Sequence, residues 1–167
     1  QPYYDLLRLS PENIMFAYRQ PVGAVCYFSL DYVTAGEETA RRALAQLPGH
    51  IGVFCEPLEF AHSARFTQAI QKVCRELSPH TKLTVIPAHA SEVNTVAFDF
   101  FRGAILDLFI VQDSEKTRAL TQASWFGSSQ SCPPIVQLSD NLPASFDGIT
   151  SYQMDYARLG TTIASCI

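Results

Sequence analysis

Apolar residues along this chain fall into two spacings. Short runs bounded by turn residues occur at 51–55 (I-G-V-F-C), 83–87 (L-T-V-I-P), 106–112 (L-D-L-F-I-V-Q) and 135–138 (I-V-Q-L), and they predict buried strands. Two further strand-like runs, 13–18 and 24–28, flank the turn Gln20-Pro21-Val22-Gly23. Between the runs lie longer stretches with an apolar residue every three or four positions. Asp31 opens one such helix, striped by Ala35, Thr39, Ala40, Ala43, Leu44 and Leu47 and stopped by Pro48-Gly49. Others span 63–77, with Phe66, Ala69, Ile70, Val73, Cys74 and Leu77 on one face, 91–101, capped by Ser91, and 114–126. A last strand follows residue 149, and a last helix opens after Asp155.

Strands alternating with helices of ten or more residues predict βαβ units, hence an α/β fold with a parallel sheet and helices on both faces. Right-handed crossovers bring the C-terminal ends of all strands to one edge, where open sheets of this kind bind ligands. No internal repeat or low-complexity tract interrupts the pattern.

Composition narrows the function. At 167 residues, 47% hydrophobic and 17% charged, the chain suits a soluble domain with a real core. The longest apolar run, around 104–111, is broken by Asp107 and is too short to cross a membrane. A net charge of −4 argues against a nucleic-acid surface on these residues. The only basic doublet, Arg41-Arg42, adjoins Glu37 and Glu38 and reads as a solvated helix face. Five cysteines show neither CxxC nor Cys/His ligand spacing; all five are expected reduced, which favours a cytoplasmic location.

Candidate chemistry is sparse. His50, His62, His80 and His89 are scattered without metal-ligand spacing and read as ordinary surface residues, so no metal or cofactor is expected. Asp99 and Asp107 form no acid–base pair, Ser63, Ser114 and Ser124 lack a nucleophile-elbow context, and no glycine-rich phosphate loop occurs. An enzyme is not expected. What remains are polar groups at strand ends. Arg65 stands near a helix start and can hold two oxygens, although a surface arginine would look the same. Asp113 ends an apolar strand and can accept from hydroxyls or cap the following helix. Asp140 and Asn141 suit a turn equally well, and Gln153 precedes Asp155, which caps the last helix.

Four stretches, in order, carry a family resemblance. They are 24–36 (A-V-C-Y-F-S-L-D-Y-V-T-A-G) with 49–54 (G-H-I-G-V-F), Ser63-Ala64-Arg65, Val111-Gln112-Asp113, and 134–160 (P-I-V-Q-L-S-D-N…I-T-S-Y-Q-M-D-Y-A-R-L-G). Together they resemble the effector domain of lactose-repressor-type (LacI/GalR) transcription regulators, which share the type I fold of periplasmic sugar-binding proteins. The resemblance implies a small-molecule sensor, most naturally for a sugar or sugar derivative, with Arg65, Asp113, Asp140 and Gln153 facing a cleft between two lobes. Residues 1–48 would end the first lobe, 49–148 would form the second, and 149–167 would return to the first. The DNA-reading headpiece and most of the first lobe would lie outside this chain. A homodimer is implied, with the helix around Phe98, Phe100 and Phe101 available as an interface, and DNA contact only through the headpiece. Where the family has Gly and an aromatic after the cleft arginine, this chain has Gln68 and Ala69. The family's Gly before the acidic turn is Gln137, and Ala88-His89-Ala90 stands where an aromatic platform is usual. The rival readings are a transport solute-binding protein of the same fold and a small α/β enzyme or receiver-like domain. The receiver would need an acidic set that the strand ends do not supply.

Overall fold

The computed structural model describes residues 15–18, 26–93, 95–96, 106–122, 133–139 and 149–165. The chain divides into two compact units, Tyr32–Met154 and a smaller one of Gln1–Asp31 with Asp155–Ile167.

In the smaller unit, β1 (Met15–Tyr18) and β2 (Cys26–Ser29) pair in parallel, Met15 opposite Cys26. The larger unit begins with α1 (Tyr32–Leu44) and continues β3 (His50–Cys55), α2 (Ala61–Leu77), β4 (Lys82–Pro87), β5 (Leu108–Val111), α3 (Ser114–Gln122), β6 (Ile135–Ser139) and β7 (Thr150–Gln153). The smaller unit closes with α4 (Tyr156–Ala164), capped by Asp155, whose Oδ1 accepts from the Arg158 amide at 2.8 Å. The five strands β3 to β7 form one all-parallel sheet in the order β4-β3-β5-β6-β7. Of the expected helix at 91–101, Val93, Thr95 and Val96 are helical, and the Glu92 carboxylate accepts from the His89 amide at 3.1 Å; the rest, including Phe98, Phe100 and Phe101, lies outside the described residues.

Close approach explains the small residues. A Cβ on Gly36 would meet the Phe66 carbonyl oxygen at 2.5 Å and Ala69 Cβ at 2.9 Å, so α1 and α2 touch where only hydrogen fits. Gly52 lets Leu106 and Phe109 close over β3. On one sheet face Phe54, Ile86, Val93, Phe109, Val111, Leu120 and Ile135 pack together, with Phe54 and Phe109 edge to face at 5.4 Å. α1 and α2 cover the other face. Asp107 clamps the entry to β3, its Oδ2 accepting from the amides of Gly49 (3.0 Å) and His50 (2.8 Å). Arg41 pairs with Glu37 and Glu38 on the solvated side of α1, as the charge pattern suggested.

Candidate functional site

The strand order reverses direction between β3 and β5, because the chain leaves β3 toward one edge for β4 and returns to its other side for β5. Helices leave the two strand ends on opposite faces, which opens a crevice at this switch point. Several polar groups of the larger unit gather near these strand ends. Gln112, just past β5 and buried, accepts through Oε1 from the Glu56 amide (2.8 Å) and from the Ser63 hydroxyl (2.9 Å). The same hydroxyl reaches the Glu56 carbonyl at 2.6 Å, so its single proton is shared. This knot ties the β3–α2 loop to the end of β5.

On the α3 side, Asp113 accepts from the Lys116 amide at 2.7 Å and from the Lys116 ammonium. It therefore caps α3 and neutralises a lysine that is only 2% exposed. Gln137, fully buried in β6, donates to the Ser114 hydroxyl at 3.0 Å, while its own Oε1 has no partner among the described residues. On the α2 side, His62 Nε2 lies 2.5 Å from Glu56 Oε2. Its ring contacts Tyr32 (5.2 Å) and stacks on Phe60 (5.8 Å, 21°). His62 is thus not the plain surface residue that its isolated position in sequence suggests.

Arg65 is exposed, three residues beyond His62 on α2, and Asp113 lies between β5 and α3. Gln153 is exposed at the end of β7, two strands from β5. Asp140 and Asn141 lie outside the described residues. Sequence reasoning missed Glu56, His62 and Lys116. Only the Asp113–Lys116 spacing of three carried a local signal.

Cys55, at the end of β3, and Cys74 are unbridged, and burial pushes both thiols up. No cluster of three or more metal-ligating side chains occurs among the described residues. None of their helices is long and apolar enough to cross a membrane. A shallow groove of about 270 Å³, lined by Cys74, Arg75, Ser78, Thr81 and Leu83, lies at the opposite end of α2 and shares none of these polar groups.

Comparison with solved structures places this architecture. A transcription regulator from Lactobacillus plantarum superposes with a TM-score of 0.77 at 16% identity, over 96% of this chain and 64% of its own. A putative ribose operon repressor from Burkholderia thailandensis gives 0.76 at 15%, over 97% and 63%. This is the periplasmic-binding-protein type I fold. It is the fold of the effector domains of LacI-type regulators, and also of GanP, a glucose-galactose binding protein from Geobacillus stearothermophilus (TM-score 0.75, 13% identity, 93% and 60% covered). The chain spans less than two thirds of the length of these type I structures. No protein-family model and no curated protein sequence matches it. The structures named are regulators and a binding protein.

Proposed function

We propose that this chain is the sugar-sensing part of a LacI-type transcription regulator, binding a sugar or sugar derivative in the crevice beside β3 and β5. The observation that carries this reading is the convergence of Glu56, Ser63, Gln112 and Asp113 at the switch point, with Arg65 on the adjoining helix. Arg65 holds two ligand oxygens through its guanidinium fork. Asp113, whose carboxylate keeps lone pairs beyond those used by Lys116, accepts from a hydroxyl. Gln153 adds a polar group from the end of β7, and Asp140, which lies outside the described residues, is assigned to the same site by the sequence resemblance alone. The five-stranded sheet serves as the core of the second lobe. Binding favours a closed arrangement of lobes and thereby changes how a homodimer presents its DNA-reading headpieces. The unbridged Cys55 and Cys74 fit a cytoplasmic regulator.

The test is thermal unfolding with ribose, glucose or galactose. A ligand at one hundred times its Kd stabilises the fold by about 2.7 kcal/mol. The expected result is a raised Tm with one of the three, and no rise with that sugar in Arg65→Ala relative to its own unliganded protein. An Arg65→Ala protein that still responds removes Arg65 from the site. A second reading, a transport solute-binding protein, is favoured by the likeness to GanP and to a sugar-binding transporter component from Bacillus halodurans (TM-score 0.65). Under the regulator reading the sugar alters operator affinity of the protein; under the transport reading there is no such affinity to alter.

A further inference from the structure

The end of the sheet opposite the crevice carries an apolar patch that the sensing site does not use. Leu47 closes the turn after α1 with φ 53°, its amide donating to the Leu44 carbonyl at 3.0 Å. This left-handed position suits glycine, and a leucine there is held against backbone strain. Its side chain is 90% exposed, so packing within the chain does not offset that strain. Leu77, the last residue of α2, is 62% exposed. Both leucines belong to one surface. The Thr81 hydroxyl donates to the Pro48 carbonyl at 3.0 Å and accepts from the Ser78 hydroxyl at 2.8 Å. The Lys82 amide donates to the Gly49 carbonyl at 2.8 Å. The loop that starts at Leu47 is thus stapled to the turn that follows Leu77.

Around these leucines the surface has two unlike flanks. α1 lies over β5, β6 and β7, and α2 beside it lies over β3 and β4. Leu47 stands on the α1 flank. The shallow groove lined by Cys74, Arg75, Ser78, Pro79 and Leu83 stands on the β4 flank. Charge divides in the same way. Arg75 lines the groove. Glu76 is exposed one turn beyond Lys72, whose ammonium reaches across to Glu37 of α1 at 2.9 Å, and it therefore lies on the α1 flank. One flank offers a protruding leucine and an acid, the other a groove and a base. Such a patch is complementary to itself, because a two-fold axis lays the α1 flank of one copy on the β4 flank of the other. We propose that this end of the sheet is a contact between two copies of the chain, with Leu47 of each seated in the groove of the other and Glu76 of each paired with Arg75 of the other. Single exposed leucines are ordinary. A leucine that is both strained and exposed is not, and burial against a second copy supplies what the single chain lacks. The contact goes beyond the sensing role and needs no ligand. It is small, so the association is weak.

The test is sedimentation velocity of the whole chain at concentrations from about 1 μM to about 1 mM, the range of weak association. Leu47→Gly, Arg75→Glu and the charge-swapped Arg75→Glu/Glu76→Arg are run in parallel. The expected result is a parent whose mass doubles from its starting value as concentration rises. Leu47→Gly and Arg75→Glu should keep the starting mass, and the swapped protein should associate at least tenfold more tightly than Arg75→Glu. Leu47→Gly also relieves the backbone strain, so at the lowest concentration its Tm should lie above that of the parent. Its loss of association then cannot come from a failure to fold. A parent of constant mass over the whole range overturns the proposal and leaves the patch to a different protein. A Leu47→Gly protein that associates as the parent does overturns it as well. A swapped protein no better than Arg75→Glu overturns the reciprocal pairing and the two-fold arrangement with it.

Discussion

Asp113 shows how one side chain can satisfy two demands. In sequence it is either a helix cap or a ligand acceptor. In the structure the cap is made, and the second carboxylate oxygen holds Lys116, whose side chain is almost wholly buried. A lysine in that position is tolerable only with its partner, since an unpaired buried charge is far more costly than a missing pair. Asp113→Ala is therefore expected to destabilise the protein by about 3–5 kcal/mol. Combining Asp113→Asn, which retains a capping oxygen, with Lys116→Met should recover most of that loss. Urea denaturation of the parent, the single variant and the double variant checks this. A single variant within 1 kcal/mol of the parent, roughly the worth of a cap alone, would mean that Lys116 finds water or another acceptor.

At the scale of elements, the α1–α2 contact limits what the sequence can change. Gly36→Ala places a methyl group 2.5 Å from a backbone oxygen, which cannot swing away as a side-chain end could. The helices must part, at about 1–3 kcal/mol for overpacking. Gly160, in the middle of α4, has nothing within 4 Å of a new Cβ. Gly160→Ala should stabilise by roughly 0.5–1 kcal/mol, the helix-interior cost of glycine. Opposite shifts in Tm for the two variants are expected, and equal shifts would refute the contact argument. The elements themselves were legible wherever period and length agreed. The run 51–55 is β3 but for one added residue, and 63–77 is α2 but for its first two. The helix starts two residues before 63, with Phe60 at the N-cap position, and Ser63 turns its hydroxyl to Gln112. The site was less legible. Glu56, Ser63 and Gln112 meet across some fifty residues of intervening chain, and no local period encodes that pairing. Lysine is seldom buried, so nothing in the sequence marked Lys116 as the buried residue it is.

For the whole molecule, the alternation of spacings predicts a parallel α/β sheet, but the β4-β3-β5-β6-β7 order comes only from the fold. That order sets the crevice between β3 and β5, with Cys55 at the strand end beside it, and the burial of that thiol bears on global stability. Burial raises the pKa of Cys55 and Cys74 in the folded state, so folding favours their neutral form. Below the thiol value of the unfolded chain, about 8.5, both states keep the proton and this contribution is fully present. Above it, the unfolded chain ionises first, and stability falls until the folded values are passed. The slope is at most about 1.4 kcal/mol per pH unit for each thiol. Lys72, raised through its hydrogen bond to Glu37, adds to the loss at still higher pH. Urea midpoints taken at pH 7.5 and pH 9.5 should therefore drop, and the drop should shrink in a Cys55→Ala/Cys74→Ala protein. An equal drop in both proteins would assign the alkaline loss to groups other than these two thiols.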